Sequence, residues 1–262
     1  MKIAISGATG RMGQSIVRLA GQDQMGIVGA IASSQSPHLG KDVGDVAGAG
    51  HLGVVIGDDV GSALLGANVV IDFSRPEGLS RVLSVAKRMG IAVVSGTTRL
   101  DAAVEKQMDE AAQVIPVLWA PNTSLGVQVL AELVAEAVKR LGLGFDIEVV
   151  ETHHKGKVDS PSGTAVRLAD AARTARDGLR TVHGREGNVG PRAAEEIGIF
   201  AVRGGDVIGD HTVHLLGLGE RIELTHRATN RDLFARGALR AARFLAGKPA
   251  GRYTMADVLG SA

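Results

Sequence analysis

The feature that most constrains this chain is a rhythm: short aliphatic runs alternate with helical patterns through the first 121 residues. The runs are KIAIS (2–6), GIVGAIA (26–32), GVVIG (53–57), VVIDFS (69–74), IAVVSGTT (91–98) and VIPVLWAP (114–121). Helical patterns cover 11–20, 76–90 and 100–112. Pro76 suits the first turn of the second of these and Gly90 its end. Residues 33–52, rich in Ser, Gly, Pro and His, read as loop. Strands that are apolar along their whole length, with helices between them, are buried on both faces. That is the signature of a parallel sheet in a doubly wound α/β domain.

The rhythm changes after residue 124. SLGVQVLAELVAEAVKRL (124–141) is a long amphipathic helix, and FDIEVVETHH (145–154) a strand. A helix is expected from 161 to about 176, and a mobile polar loop over 178–195. Candidate strands at 197–203, 206–216 and 221–228 follow with no helix between them, which implies a second, mixed or antiparallel sheet. A final helix over 230–247 is expected to return to the first domain. The expected division is a dinucleotide-binding domain at 1–124, joined by 235–262, and an α+β domain at 125–234.

Composition narrows the chemistry. Lys and Arg number 29 against 28 Asp and Glu, a net charge of +1. No global basic field draws the chain to nucleic acid or to an acidic membrane. The chain has no cysteine, which excludes a thiol nucleophile, a thiolate zinc site and any disulfide. No uncharged apolar run approaches the roughly 18–20 residues of a membrane span. The opening MKIAISGATGRMG is too broken by glycine and Arg11 for a signal-peptide core. A cytoplasmic protein is expected. No H-E-x-x-H or other metal-ligand spacing occurs, so no metal site is expected.

Gly7-Ala8-Thr9-Gly10-Arg11-Met12-Gly13 closes the first strand and opens the first helix. Glycines there tighten the turn and bring backbone N–H groups to a pyrophosphate, and the helix N-terminus adds partial positive charge. Arg11 is placed for a charge-assisted phosphate contact. The spacing is G-x-x-G-x-x-G rather than the commoner G-x-G-x-x-G, in a Rossmann-like context. The acidic residue that holds a ribose 2′-hydroxyl is expected about 20 residues further on. Ser33 and Ser34 stand there instead, and Lys41 is the nearest later cation. A carboxylate would repel a 2′-phosphate; two hydroxyls admit it. NADPH, or both NADPH and NADH, is the expected cofactor.

ETHHKGKVDSPSGTA (151–165) holds the densest chemistry. Ser160 is a good N-cap and Pro161 a good first helical residue. The backbone N–H groups of Ser162, Gly163 and Thr164 would then form a small anion site, with Lys157 as a clamp. His153 and His154 end a strand, and imidazole is the side chain best suited to proton transfer near neutral pH. His211, His214 and His226 lie in strands and read as core or surface residues; His38, His51 and His183 lie in loops. A cofactor turn, a proton donor and a carboxylate clamp together describe a reductase of a small anionic substrate.

At this point the sequence resembles the dihydrodipicolinate reductase family over nearly its whole length. The resemblance rests on GATGRMG (7–13), IDFSRPEG (71–78), SGTT (95–98), APNTSLGV (120–127), HHKGKVDSPSGTA (153–165) and YTMADVLG (253–260). It implies reduction of 4-hydroxy-tetrahydrodipicolinate with NADPH or NADH, in lysine and diaminopimelate biosynthesis. It implies His153 as proton donor and Lys157 as catalytic lysine. His154, Gly163 and Thr164 would bind the dicarboxylate, joined by the Ser162 amide expected from the helix start. Gly7, Ala8, Thr9, Gly10, Arg11, Met12, Phe73, Gly96, Thr97, Thr98, Ala120, Pro121, Asn122 and Thr123 would bind the cofactor, with Arg75 beside Phe73, and Ser33 is added to them by the spacing after the glycine turn. It also implies a homotetramer built through the second domain. Closure of the two domains, with hinges near 122–126 and 229–234, is expected to exclude water. Departures from the family pattern are Lys155-Gly156 between the histidines and the lysine, Thr123 where an apolar residue is frequent, and Arg99 where glycine is frequent.

Two rivals remain. A short-chain dehydrogenase shares the glycine opening but needs Tyr-x-x-x-Lys, and Tyr253, the only tyrosine, is followed by Thr-Met-Ala-Asp. Aspartate-semialdehyde dehydrogenase needs a cysteine nucleophile. A non-catalytic NADP sensor has no use for a proton donor beside a carboxylate clamp.

Overall fold

A computed structural model describes residues 1–260. The chain forms two compact units, Met1–Ser124 with Asp232–Ala262, and Leu125–Arg231. The elements of the first stretch are β1 (Lys2–Ser6), α1 (Arg11–Ala20), β2 (Gly26–Ile31), α2 (Val43–Ala47), β3 (Ile56–Gly57), α3 (Val60–Leu64), β4 (Val69–Asp72), α4 (Pro76–Met89), β5 (Ala92–Ser95), α5 (Ala102–Ala112) and β6 (Pro116–Trp119). The second unit holds α6 (Leu125–Leu141), β7 (Asp146–His153), α7 (Gly163–Ala175), β8 (Arg180–Val182), β9 (Glu196–Arg203), β10 (Gly209–Gly217) and β11 (Glu220–Ala228). The chain closes with α8 (Asp232–Leu245), β12 (Gly251–Tyr253) and α9 (Met255–Leu259), which belong to the first unit.

In the first unit seven parallel strands run in the order β12-β6-β5-β4-β1-β2-β3. The order reverses at β1, and the crevice outside the carboxyl ends of β1 and β4 is where such sheets bind ligands. The central strands are apolar on both faces because both are covered: every residue of β4 and β5 is buried. One cover packs Leu79, Val82, Leu83 and Ala86 of α4, with Met108 of α5, on Val70 and Val93. Gly90 ends α4 in the left-handed conformation at φ +68°, as its glycine predicts.

The loop expected over 33–52 contains α2, and a further short helix, α3, lies between β3 and β4. Each is started by an aspartate. Asp42 accepts N–H groups from Gly44 and Asp45, and Asp59 accepts that of Ser62. A helix of five residues leaves too short an apolar period to read from sequence. The strand expected over 53–57 contracts to Ile56–Gly57.

The second unit carries a mixed sheet in the order β11-β10-β7-β9-β8. β7 pairs antiparallel with β10 and parallel with β9. Its covered face packs Ile147, Val149, Ile197, Val213 and Leu215 under Leu130 and Val134 of α6 and Leu168 and Ala172 of α7. The segment expected as a mobile loop over 178–195 contains β8, and two arginines tie it to the sheet. Arg185 meets Glu148 and Glu196, and Arg192 meets Asp146 and Glu148.

Candidate active site

β7 buries alternate residues along its whole length. The inward positions read Ile147, Val149, Glu151, His153, so the face that supplies the core ends in two ionisable side chains. The adjacent strands continue the change. His211 of β10 stands opposite Glu151, and Arg203 of β9 opposite His153. Glu151 is fully buried. Its Oε2 lies 2.5 Å from His153 Nδ1 and accepts from Arg203 Nη1 at 2.7 Å. Its Oε1 accepts from Arg203 Nη2 at 2.8 Å and from the Ser162 backbone N–H at 3.0 Å.

These contacts set the electrostatics. Burial opposes ionisation of Glu151, but the hydrogen bonds from Arg203, His153 and Ser162 outweigh it and hold the carboxyl below its usual range. Burial lowers the His153 pKa, helped by the charges of Lys157 and Arg203 and opposed by Glu151. His211 is buried edge-on to His153, with ring centroids 5.1 Å apart. Burial first, then the charge on His153, pushes its pKa down to about 4. His211 Nε2 pairs with the Ser162 hydroxyl at 2.9 Å.

The helix start differs from the expected one. α7 begins at Gly163, and its N-cap is Ser162, whose hydroxyl accepts the Ala165 N–H at 3.1 Å. Ser160 and Ser162 are both plausible caps in Ser-Pro-Ser; Glu151, by taking the Ser162 amide, selects the second. Ser162 is buried and its amide is already spent, so it is not one of the free donors expected there. Gly163 is exposed at the first helical position and Thr164 half-buried behind it. Lys157 Nζ sits 2.8 Å from both carboxylate oxygens of Asp159. The His154 amide donates to the Val207 carbonyl at 2.7 Å. Glu151 and Arg203 have no role in the sequence expectations, where His211 reads as ordinary core or surface; all three belong to this cluster.

In the first unit a groove of about 670 Å³ is lined by Gly7, Thr9, Gly10, Ser33, Ser34, Phe73, Arg75 and Arg81, among others. Gly7 adopts φ +76°, and a Cβ there would come within 2.4 Å of the Phe73 carbonyl oxygen. Gly10 caps α1 without a side-chain hydrogen bond, leaving the first helical amides to an external anion. The residues thus fit a dinucleotide, though not each in the expected way. The Gly7 and Ala8 amides both donate to the Ile31 carbonyl at 3.0 Å, and the Ala8 side chain is buried. Ala8, Arg11 and Met12 are not among the groove's lining residues, nor is Lys41. Arg81, absent from the sequence expectations, is.

The remaining expected cofactor residues lie at the ends of β5 and β6. A Cβ on Gly96 would overlap the Phe73 ring at 2.1 Å, so the aromatic side chain packs directly against that glycine. Thr97 is buried with its hydroxyl on Asp72, and Thr98 is exposed. Ala120 is buried and Pro121 exposed. Asn122 Oδ1 accepts the Ser124 N–H at 2.9 Å. Thr123 is buried and donates its hydroxyl to the Phe234 carbonyl at 2.7 Å, a tie to α8. Asp42, Asp45 and His51 gather their ligand atoms within 4.8 Å. Asp42 there accepts four backbone N–H groups, from Gly44, Asp45, Leu52 and Val54, which explains the cluster as a capped turn.

Fold and site define a two-unit α/β oxidoreductase, with a nucleotide-type sheet in one unit and a carboxylate-backed histidine in the other. Family models for the N-terminus and the C-terminus of dihydrodipicolinate reductase match residues 1–123 and 126–259. A 4-hydroxy-tetrahydrodipicolinate reductase of Syntrophotalea carbinolica is 47% identical, covering 99% of both chains. One of Anaeromyxobacter dehalogenans is 48% identical, covering 99% of this chain and 97% of the relative. Dipicolinate-bound dihydrodipicolinate reductase from Paenisporosarcina sp. TG-14 shares the fold at a TM-score of 0.79 and 22% identity, over 97% of each chain. The chain belongs to the dihydrodipicolinate reductase family. Among the described residues no helix is long and apolar enough to cross a membrane.

Proposed function

We propose that this chain reduces 4-hydroxy-tetrahydrodipicolinate to tetrahydrodipicolinate, with loss of the 4-hydroxyl as water, in the cytoplasm and as a homotetramer. Reduced nicotinamide supplies the hydride; the protein orients, desolvates and moves the proton. His153 carries the reading. With Nδ1 on Glu151, its other ring nitrogen, Nε2, is left for a substrate. The proton leaves Nε2 for the substrate carbon that hydride addition leaves electron-rich. The dicarboxylate is held by Lys157, His154, Gly163 and Thr164, where the exposed start of α7 offers amide donors and the lysine a charge. Lys157 exchanges Asp159 for the substrate.

The cofactor lies along the glycine turn and the 96–98 and 120–123 segments. NADPH is preferred over NADH, because the end of β2 carries Ser33 and Ser34 with no carboxylate, and because Arg75 and Arg81 line the same groove. The test follows absorbance at 340 nm with each cofactor and substrate made in situ from pyruvate and aspartate semialdehyde. Substrate-dependent oxidation, faster at low concentration with NADPH, is expected. Folded protein that binds a cofactor and never oxidises it would favour a sensor. Sedimentation at micromolar concentration checks the tetramer.

A further inference from the structure

The proposed reaction uses His153 but makes no use of the two groups behind it. Glu151 is fully buried and has both carboxylate oxygens filled, by Arg203 twice, by the Ser162 amide and by His153. Arg203 also donates to the carbonyls of Asp159 and Val202, both at 2.8 Å, which ties its guanidinium in place beside the carboxylate. A bidentate arginine is the partner that best keeps a buried carboxylate ionised and oriented. On the other side of the ring stands Gly209. A Cβ there would lie 2.9 Å from His153 Nε2 and 3.5 Å from His211 Cε1, so the bare glycine backbone leaves a notch in front of Nε2.

We infer that Glu151 and Arg203 are positioning residues for the proton donor: Arg203 holds the Glu151 carboxylate, which takes the Nδ1 proton of His153 and leaves Nε2 alone to face the substrate. The inference rests on the reading of His153 as donor. Its chemistry is simple. When Nε2 is protonated, the imidazolium charge meets Glu151 across the 2.5 Å contact; when the proton passes to substrate carbon, His153 returns to the neutral form with its proton on Nδ1. Without the carboxylate, the ring is free to hold its proton on Nε2 in the neutral state and to rotate. The charged and titratable groups facing the ring are Glu151 on its own strand, Arg203 from β9, His211 from β10 and Lys157 from the following loop; the start of α7 presents the uncharged Ser162.

The first test needs no turnover. Nitrogen-15 NMR of the ligand-free protein with labelled histidine, assigned by comparison with His153→Gln, reads which ring nitrogen of His153 carries the proton. An Nδ1–H signal at pH 8 is expected; an Nε2–H signal overturns the inference even if the reductase reading holds. The second test is the pH profile of kcat at saturating substrate. Glu151→Gln is expected to lower kcat at least 100-fold, to leave the cofactor KM within twofold, and to move the alkaline limb to lower pH. A purely structural role would lower Tm and leave that limb in place. Glu151→Gln/Arg203→Met removes both charges together, so the result stands if the single variant does not fold. A folded variant with kcat within threefold of wild type overturns the inference. Near-normal turnover by His153→Gln would instead sink the donor reading itself.

Discussion

Asp72 Oδ2 accepts the Thr97 hydroxyl at 2.6 Å, joining the ends of β4 and β5 inside the nucleotide-type unit. Asp72 is completely buried. Ser74 donates to its other oxygen at 2.6 Å and Ser95 to Oδ2 at 3.1 Å. Burial pushes the carboxyl pKa up, and these hydroxyls, with that of Ser6, oppose the shift. One side chain therefore shapes the 95–97 turn and the segment carrying Phe73. Asp72→Ala would leave those hydroxyls without their acceptor, costing about 2–4 kcal/mol of stability. It should also raise the cofactor KM several-fold while the substrate KM stays put. Chemical denaturation and paired KM titrations check this; an unchanged cofactor KM in folded protein would mean that the turn keeps its shape unaided.

Gly209 offers a second handle, on the other unit. Its missing Cβ would meet His153 Nε2 at 2.9 Å. A side-chain end can usually yield, but this imidazole is buried and held from behind by Glu151. Gly209→Ala should therefore leave the fold intact, as Gly209 has no left-handed φ to lose, and lower kcat/KM for the substrate at least tenfold. Steady-state kinetics with circular dichroism on the same sample decides it. Equal kcat/KM values would show that nothing needs the notch.

Much of this is legible in the sequence, and the exceptions have physical causes. α4 begins and ends where its proline and glycine put it, because capping chemistry is local. β12 is three residues of unremarkable sequence, GRY, and becomes a strand only because the edge of β6 is open to it. Glu151 was within reach of the period-2 rule, since it shares a face with His153. Arg203 and His211 were not, because their places depend on the register of β9 and β10 against β7. Arg99 is a departure that nothing in the structure explains. It holds φ +58°, a left-handed conformation that glycine adopts without strain and a branched or long side chain does not.

His211 makes stability depend on pH in a predictable direction. Its folded pKa is about 4, below the usual 6.5. As pH falls from about 6.5 towards 4, the unfolded chain takes up a proton that the folded protein refuses, so stability falls. The contribution levels off below the folded pKa and amounts to about 3 kcal/mol. Above about 6.5 neither state is protonated and the term vanishes. His211→Asn should thus flatten the loss of stability between pH 7 and pH 4.5, measured as denaturant midpoints for both proteins. Parallel curves for variant and wild type would show that His211 is not the titrating group.

Arg81 gives the sharpest test of cofactor choice. It is exposed on the second turn of α4, has no ion-pair partner among the described residues, and lines the groove that also holds Ser33 and Ser34. A cation near two hydroxyls, with no carboxylate at the end of β2, suits a 2′-phosphate and gains little from a 2′-hydroxyl. Arg81→Ala should raise the KM for NADPH about fivefold to twentyfold, as expected for losing a partly solvated charged contact of about 1–2 kcal/mol. The KM for NADH should change less than twofold. Added salt should weaken wild-type NADPH binding more than that of the variant, because screening acts on the contact that the variant lacks. An equal rise in both KM values would place Arg81 against the adenine or the pyrophosphate, which the two cofactors share.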